Sequence, residues 1–107
     1  MPARWLLTVL SRIRALSAQR KVRFTYKAFR ELAALDLGLD EDDACDILAN
    51  LSTSDCAGRL VSRETGEWMY LFTPRVAGSV LYVKVILRAD CVVISFREGE
   101  DEDHEDE

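Results

Sequence analysis

Residues 79–88 (SVLYVKVILR) and 91–98 (CVVISFRE) alternate apolar with other side chains, and Ala89-Asp90 lies between them. Two alternating runs across a two-residue loop predict a tight β-hairpin in which Arg88 pairs with Cys91 and Tyr82 with Arg97. Side chains alternate along a strand. This register therefore puts Leu81, Val83, Val85, Leu87, Val92, Ile94 and Phe96 on one face, which is a core and must be covered. The other face carries Tyr82 opposite Arg97 and Lys84 opposite Ser95, with Ile86 and Val93 nearer the turn. A buried sheet face has no need of a phenol, an ammonium and a guanidinium side by side. Such groups can hold a phosphodiester and move its protons.

The covering elements precede the hairpin. Leu6, Val9, Leu10, Ile13 and Leu16 recur at helical spacing with Pro2 near the start, which predicts an amphipathic helix over 3–18. Residues 21–26 (KVRFTY) alternate and predict a short strand with Val22, Phe24 and Tyr26 inward. Helical spacing returns over 27–36 through Ala28, Leu32 and Leu35, with Gly38 as the cap. Asp40 reads as the N-cap of a third helix running to about Leu51 and burying Ala44, Ile47, Leu48 and Leu51. The acids at 40–43 read as first-turn residues favoured by the helix dipole, ahead of a metal site.

After LSTSD (51–55) the pattern changes to strands. Residues 59–63 and 67–73 flank Thr65-Gly66 as a second hairpin, and Pro74 and Gly78 mark the break before the last one. Trp68, Tyr70 and Phe72 share a strand face and read as core under the helices. The order is helix, strand, two helices, then four antiparallel strands. That is an α+β fold, an antiparallel-rich sheet with helices packed on one side. Residues 1–97 suffice for a single domain with one core.

The formal charge of −5 conceals an asymmetry. Residues 98–107 (EGEDEDHEDE) hold eight acids and no Lys or Arg, so residues 1–97 alone carry +3. Residues 1–30 contain Arg4, Arg12, Arg14, Arg20, Lys21, Arg23, Lys27 and Arg30 and no acid. A basic block of this kind favours a polyanion. Arg20, Lys21, Arg23, Lys27 and Arg75 are the candidate contacts for such a partner. The acidic tail cannot bury apolar surface and is expected to be disordered, competing with a polyanion for the basic surface. Cys45, Cys56 and Cys91 lack the close pair spacing of a zinc site and read as reduced thiols of a cytosolic protein. No apolar run approaches the ~18 residues of a membrane span.

Several segments, in this order, resemble the MqsR family of type II toxin–antitoxin toxins: KVRFTYKAF, LDLGLD before the third helix, LSTSD, Trp68 followed by PR at 74–75, YVK at 82–84 and VISFRE at 93–98. Together they span about residues 5–98. The resemblance implies a RelE-like fold and a metal-independent endoribonuclease, an mRNA interferase without a cofactor. It also implies a cognate antitoxin partner that binds DNA, by a helix-turn-helix, and zinc. The family's active-site tyrosine matches Tyr82, and its lysine near the C-terminus is matched by Arg97. The lysine after the LSxSD motif falls on Gly58, with Arg59 next to it. The glutamine after the tryptophan falls on Met69.

RNA is cut without metal when its 2′-hydroxyl attacks the adjacent phosphate, leaving a 2′,3′-cyclic phosphate and a 5′-hydroxyl. The enzyme must remove one proton, stabilise phosphoryl charge and supply another proton. Histidine is the usual agent, but the one histidine is His104, in the acidic tail. The candidate catalytic set is therefore Tyr82, Arg97, Lys84 and Arg59. The rival reading is a catalytically silent module of the same fold that binds RNA or only its antitoxin.

Overall fold

A computed structural model describes residues 1–99; residues 100–107 of the expected acidic tail lie outside the described residues. The elements are α1 (Arg4–Ala18), β1 (Val22–Phe24), α2 (Tyr26–Ala34), α3 (Glu41–Ala49), a 3₁₀ turn (Thr53–Asp55), β2 (Cys56–Val61), β3 (Trp68–Phe72), β4 (Arg75–Val76), β5 (Ser79–Leu87) and β6 (Cys91–Glu98). Among the described residues the strands form one six-stranded sheet in the order β1-β6-β5-β3-β2, with the short β4 pairing beside β5. All pairs are antiparallel except β1 with β6, which is parallel. The architecture is α+β, as expected. No helix of the described residues is long and apolar enough to cross a membrane.

The helices cover one face. Leu6, Val9, Leu10 and Ile13 of α1, Ala28 and Leu32 of α2, and Ala44 and Leu48 of α3 are buried against Phe72, Leu81, Val83, Val85, Val93 and Phe96. Helix α1 closes with a left-handed Arg20 (φ 61°), while the Lys21 N–H donates to Leu16 O and the Arg20 N–H to Ser17 O. This is a Schellman cap built without glycine. The Arg20 side chain offsets that strain by bridging Asp42 at 3.3 Å and Asp46 at 3.0 Å, tying α1 to α3. The acids before α3 form a capping box: Asp43 N–H donates to Asp40 Oδ1 at 2.8 Å, and Asp40 N–H to Asp43 Oδ2 at 2.9 Å.

Ser17 of α1 is fully buried, and among the described residues its Oγ has no hydrogen-bond partner. An unmet buried hydroxyl costs free energy that a methyl group does not. Ser17→Ala is therefore expected to raise unfolding stability by about 1 kcal/mol, read by urea titration. An unchanged or lowered midpoint would mean that Oγ has a partner after all.

Three local expectations require correction. Thr25 caps α2, its Oγ1 accepting from Ala28 N–H at 3.1 Å, so Tyr26 opens the helix and is 75% exposed instead of pointing inward. Gly38 does not cap α2, which closes at Leu35; it has a left-handed φ of 69° in the turn beyond. The final hairpin contains a β-bulge. The expected register holds from Leu81↔Glu98 to Lys84↔Ser95, then shifts to Val85↔Val93, Ile86↔Val92 and Leu87↔Cys91. Ile94 is the extra residue. The loop becomes Arg88–Asp90, and Val93 and Cys91 replace Ile94 and Val92 on the core face. Strand β6 keeps its pairing to the end: Glu98 pairs with Leu81, and Gly99 N–H donates to Val80 O at 2.7 Å.

Candidate active site

The bulge lies beyond Lys84, so the polar side of the hairpin survives as expected. Tyr82 faces Arg97 and Lys84 faces Ser95 across β5 and β6, on the side away from the helices. The Arg97 guanidinium carbon lies 4.3 Å from the centre of the Tyr82 ring, and Lys84 Nζ lies 5.9 Å from the same ring. A phenol ring attracts cations to its face, and here it gathers two that would otherwise repel one another. Among the described residues neither cation has a carboxylate partner; Arg97 donates only to the Glu98 carbonyl, at 3.3 Å. Two cations and a hydroxyl thus stand together, open to an incoming anion.

Helix α2 adds to this group from the side. It runs beside the outer part of β6, where Glu31 Oε1 accepts the Phe96 N–H at 2.9 Å. The Lys27 ammonium reaches Ser95 Oγ at 2.9 Å and Glu31 Oε2 at 2.9 Å. Lys27, read from sequence as a general RNA contact, therefore belongs to the Tyr82 face. Ser95 is only 3% exposed beneath it. Glu31 and Ser95 are additions of the structure. The signals for them in the sequence are the Lys27/Glu31 spacing of four on one helix and the position of Ser95 opposite Lys84.

Burial pushes the Glu31 carboxyl up, but the Lys27 hydrogen bond and the Phe96 N–H outweigh it, leaving Glu31 below its ordinary value of 4.5. A lowered carboxylate stabilises the fold above its unfolded value and loses that contribution as pH falls through the folded one. Glu31→Ala leaves Phe96 N–H unmet and is expected to cost about 1–3 kcal/mol at neutral pH. Glu31→Gln, which keeps an acceptor, should show a shallower loss of stability below pH 4.5 than the parent. Equal acid sensitivity of parent and Gln variant would remove Glu31 from this role; denaturant titrations across pH give the comparison.

The other expected residues are distributed unevenly. Arg59 is not on the Tyr82 face. It pairs with Tyr70, which pairs with Val85 of the core, so its side chain belongs to the helix side. There it lies between Trp5 and Trp68 at 4.3 and 4.0 Å from the ring centres. Of the three aromatic residues read as core on β3, Phe72 is fully buried, Tyr70 stacks on Trp5 and Trp68 is 42% exposed. Gly58, one residue before Arg59, is on the Tyr82 side: it pairs with Leu71, and Leu71 with Lys84. Its φ of 126° suits glycine, and the position carries no charge. Met69 shares that face two residues along β3.

Arg20 is engaged with α3, as described. Arg23 lies beside Val92 and bridges Asp90 at 3.2 Å, at the turn end of the open face. Lys21 is exposed, and Arg75 pairs with Val80, two residues before Tyr82. Cys91 is buried and its thiol is pushed up to about 12 by burial, so it is no nucleophile. A groove of about 510 Å³ between α2 and α3 is rimmed by Asp40, Glu41 and Asp42, which repel phosphate.

The family model described as "Motility quorum-sensing regulator, toxin of MqsA" matches residues 7–98. The chain is also 32% identical over 92 residues to the mRNA interferase toxin MqsR of Escherichia coli (strain K12), covering 85% of this chain and 92% of that protein. The match runs from α1 to the end of β6 and so includes every strand that carries the Tyr82 face. The chain belongs to the MqsR toxin family.

Proposed function

We propose that the chain is the toxin of a toxin–antitoxin pair and an endoribonuclease that cleaves mRNA in the cytoplasm without a metal. The observation that carries this reading is the convergence of Arg97 and Lys84 on the Tyr82 ring, on a sheet face uncovered by the helices. The 2′-oxygen attacks phosphorus and forms a new P–O bond while its proton leaves to water, which reaches the open face. The P–O5′ bond breaks, and Tyr82 supplies the proton to the departing 5′-oxygen. Arg97, with a planar fork and permanent charge, holds the phosphoryl oxygens as negative charge builds on them. Lys84 on the same strand pair, and Lys27 reaching in from α2, add point charges. The products are a 2′,3′-cyclic phosphate and a 5′-hydroxyl.

The partner is a cognate antitoxin, a helix-turn-helix and zinc-binding protein that silences the toxin. The test has two parts. Purified chain is incubated with mRNA in excess chelator and the 5′ ends are analysed. Chain expressed alone is then compared with chain expressed beside its antitoxin. Fragments with 5′-hydroxyl ends, and growth arrest relieved by the antitoxin, support the reading. Loss of cleavage in chelator would overturn metal independence. Gly58 and Met69, where the resemblance implies a lysine and a glutamine, favour a second reading, a silent RNA-binding module. That module would retain RNA and cut none of it.

A further inference from the structure

We propose that Trp5, Arg59 and Trp68 form a second binding site, on the helix side of the sheet, for single-stranded RNA flanking the cleaved bond. The inference rests on the reading of the chain as an RNA-cleaving enzyme. The Arg59 guanidinium lies between two indoles, 4.3 Å from the Trp5 ring centre and 4.0 Å from that of Trp68. Trp5 stacks in turn on Tyr70, with 5.9 Å between centres and 28° between planes. The guanidinium is thus held against two ring faces, while its N–H groups remain free to donate. Arg12, Arg14, Arg20, Arg23 and Arg88 each reach a carbonyl or carboxylate. Among the described residues Arg59 has no such acceptor. A planar guanidinium fixed in this way is suited to a bidentate hydrogen bond with an anion.

The exposure of Trp68, 42%, says what kind of anion fits. An acidic peptide would satisfy the Arg59 edge but offers nothing to an indole. A nucleotide offers a phosphate to the first and a base to the second, the combination by which single strands are held without sequence preference. The topology supplies the path. Strand β2 is an edge strand, and Gly58 and Arg59 are consecutive on it, so they belong to opposite faces. Gly58 is in line with Leu71 and Lys84, and a Cβ built on it would meet nothing within 4 Å. From β5 to β2 is two strand spacings, about 10 Å. RNA leaving the Tyr82 face therefore crosses an open lane at Gly58 and turns round the edge to reach Arg59 within a few nucleotides.

The chain's two tryptophans are Trp5 and Trp68, so tryptophan emission, excited beyond the tyrosine absorption band, reports this site. The probe is a 2′-O-methyl octa-adenylate, which lacks the attacking hydroxyl and cannot be cut. Saturable quenching of the full-length chain is expected, weakening about tenfold in Arg59→Gln, with thermal unfolding run alongside. If Arg59→Gln does not fold, Arg59→Lys keeps the charge, loses the planar fork and should weaken binding likewise. Three results would each overturn the proposal. The first is a fluorescein-labelled octamer that binds by anisotropy while tryptophan emission is unchanged. The second is unaltered affinity in the folded Arg59 variant. The third is equal quenching by octaglutamate, which would make the ligand an acidic peptide. Cleavage of unmodified RNA is measured separately. Quenching in a chain that cuts nothing supports this site while sinking the enzymatic reading, and cleavage without quenching does the reverse.

Discussion

Arg97→Ala is expected to lower the single-turnover rate of RNA cleavage about 100- to 1,000-fold, or about 2.7–4 kcal/mol, the usual cost of removing one donor to developing charge. The size of the effect follows from the surroundings. The guanidinium is positioned 4.3 Å from the Tyr82 ring centre and, among the described residues, is bonded only to the Glu98 carbonyl, so its donors are available to phosphate. For the same reason it adds little to the fold, and the unfolding midpoint should barely move. Tyr82→Phe keeps the ring on which both cations rest and deletes only the hydroxyl. A slower rate in that variant reports proton transfer to the 5′-oxygen. If both variants cleave at the parental rate, the chemistry occurs elsewhere and the whole open face is misassigned.

Phe96→Ala is expected to destabilise the protein by about 3–5 kcal/mol, a large part of the 5–15 kcal/mol typical of a domain this size. Phe96 is fully buried on the core side of β6, with its ring 6.4 Å from that of Phe24. Its two neighbours in sequence, Ser95 and Arg97, belong to the opposite side. The core therefore fixes the orientation of the residues proposed to hold phosphate. Denaturant titration gives the stability and the same sample gives the cleavage rate at low temperature. A loss below 1 kcal/mol would mean that the cavity collapses and that Phe96 is not the support described here.

The pairing of Tyr82 with Arg97 was legible because alternation and loop length are local properties, and the four residues from Leu81 to Lys84 obey them. The bulge at Ile94 was not. Val92, Val93 and Ile94 are all apolar and β-branched, so the sequence carries no contrast by which to choose between two registers. Tyr26 was misplaced because KVRFTY alternates up to the residue at which Thr25 starts a helix, and capping prevailed over alternation. The helices were legible from spacing alone, since each buries a single stripe. The parallel pairing of β1 with β6 was beyond local reading, since it joins residues almost seventy positions apart. The same holds for the site. Arg59 was grouped with Tyr82 by its charge and its place in a motif, whereas the pairing of β2 with β3 puts it on the other side. Lys27 reaches Ser95 only because α2 runs beside β6.

The sheet order also bears on how the protein is made. Among the described residues β5 and β6, at the middle of the sheet, are the last strands in chain order, and β1, at the sheet's edge, pairs only with β6. During synthesis α1, β1, α2 and α3 emerge first, but the surface that they bury against does not yet exist. Closing so long a loop also makes folding slow relative to a helical bundle. The strands that complete the hydrophobic core are the strands that carry Tyr82, Lys84 and Arg97. On the proposed reading of the Tyr82 face, a ribosome translating this message carries no chain able to cut RNA before β5 and β6 emerge: the means of cutting RNA and the ability to fold arrive together, in the same hairpin.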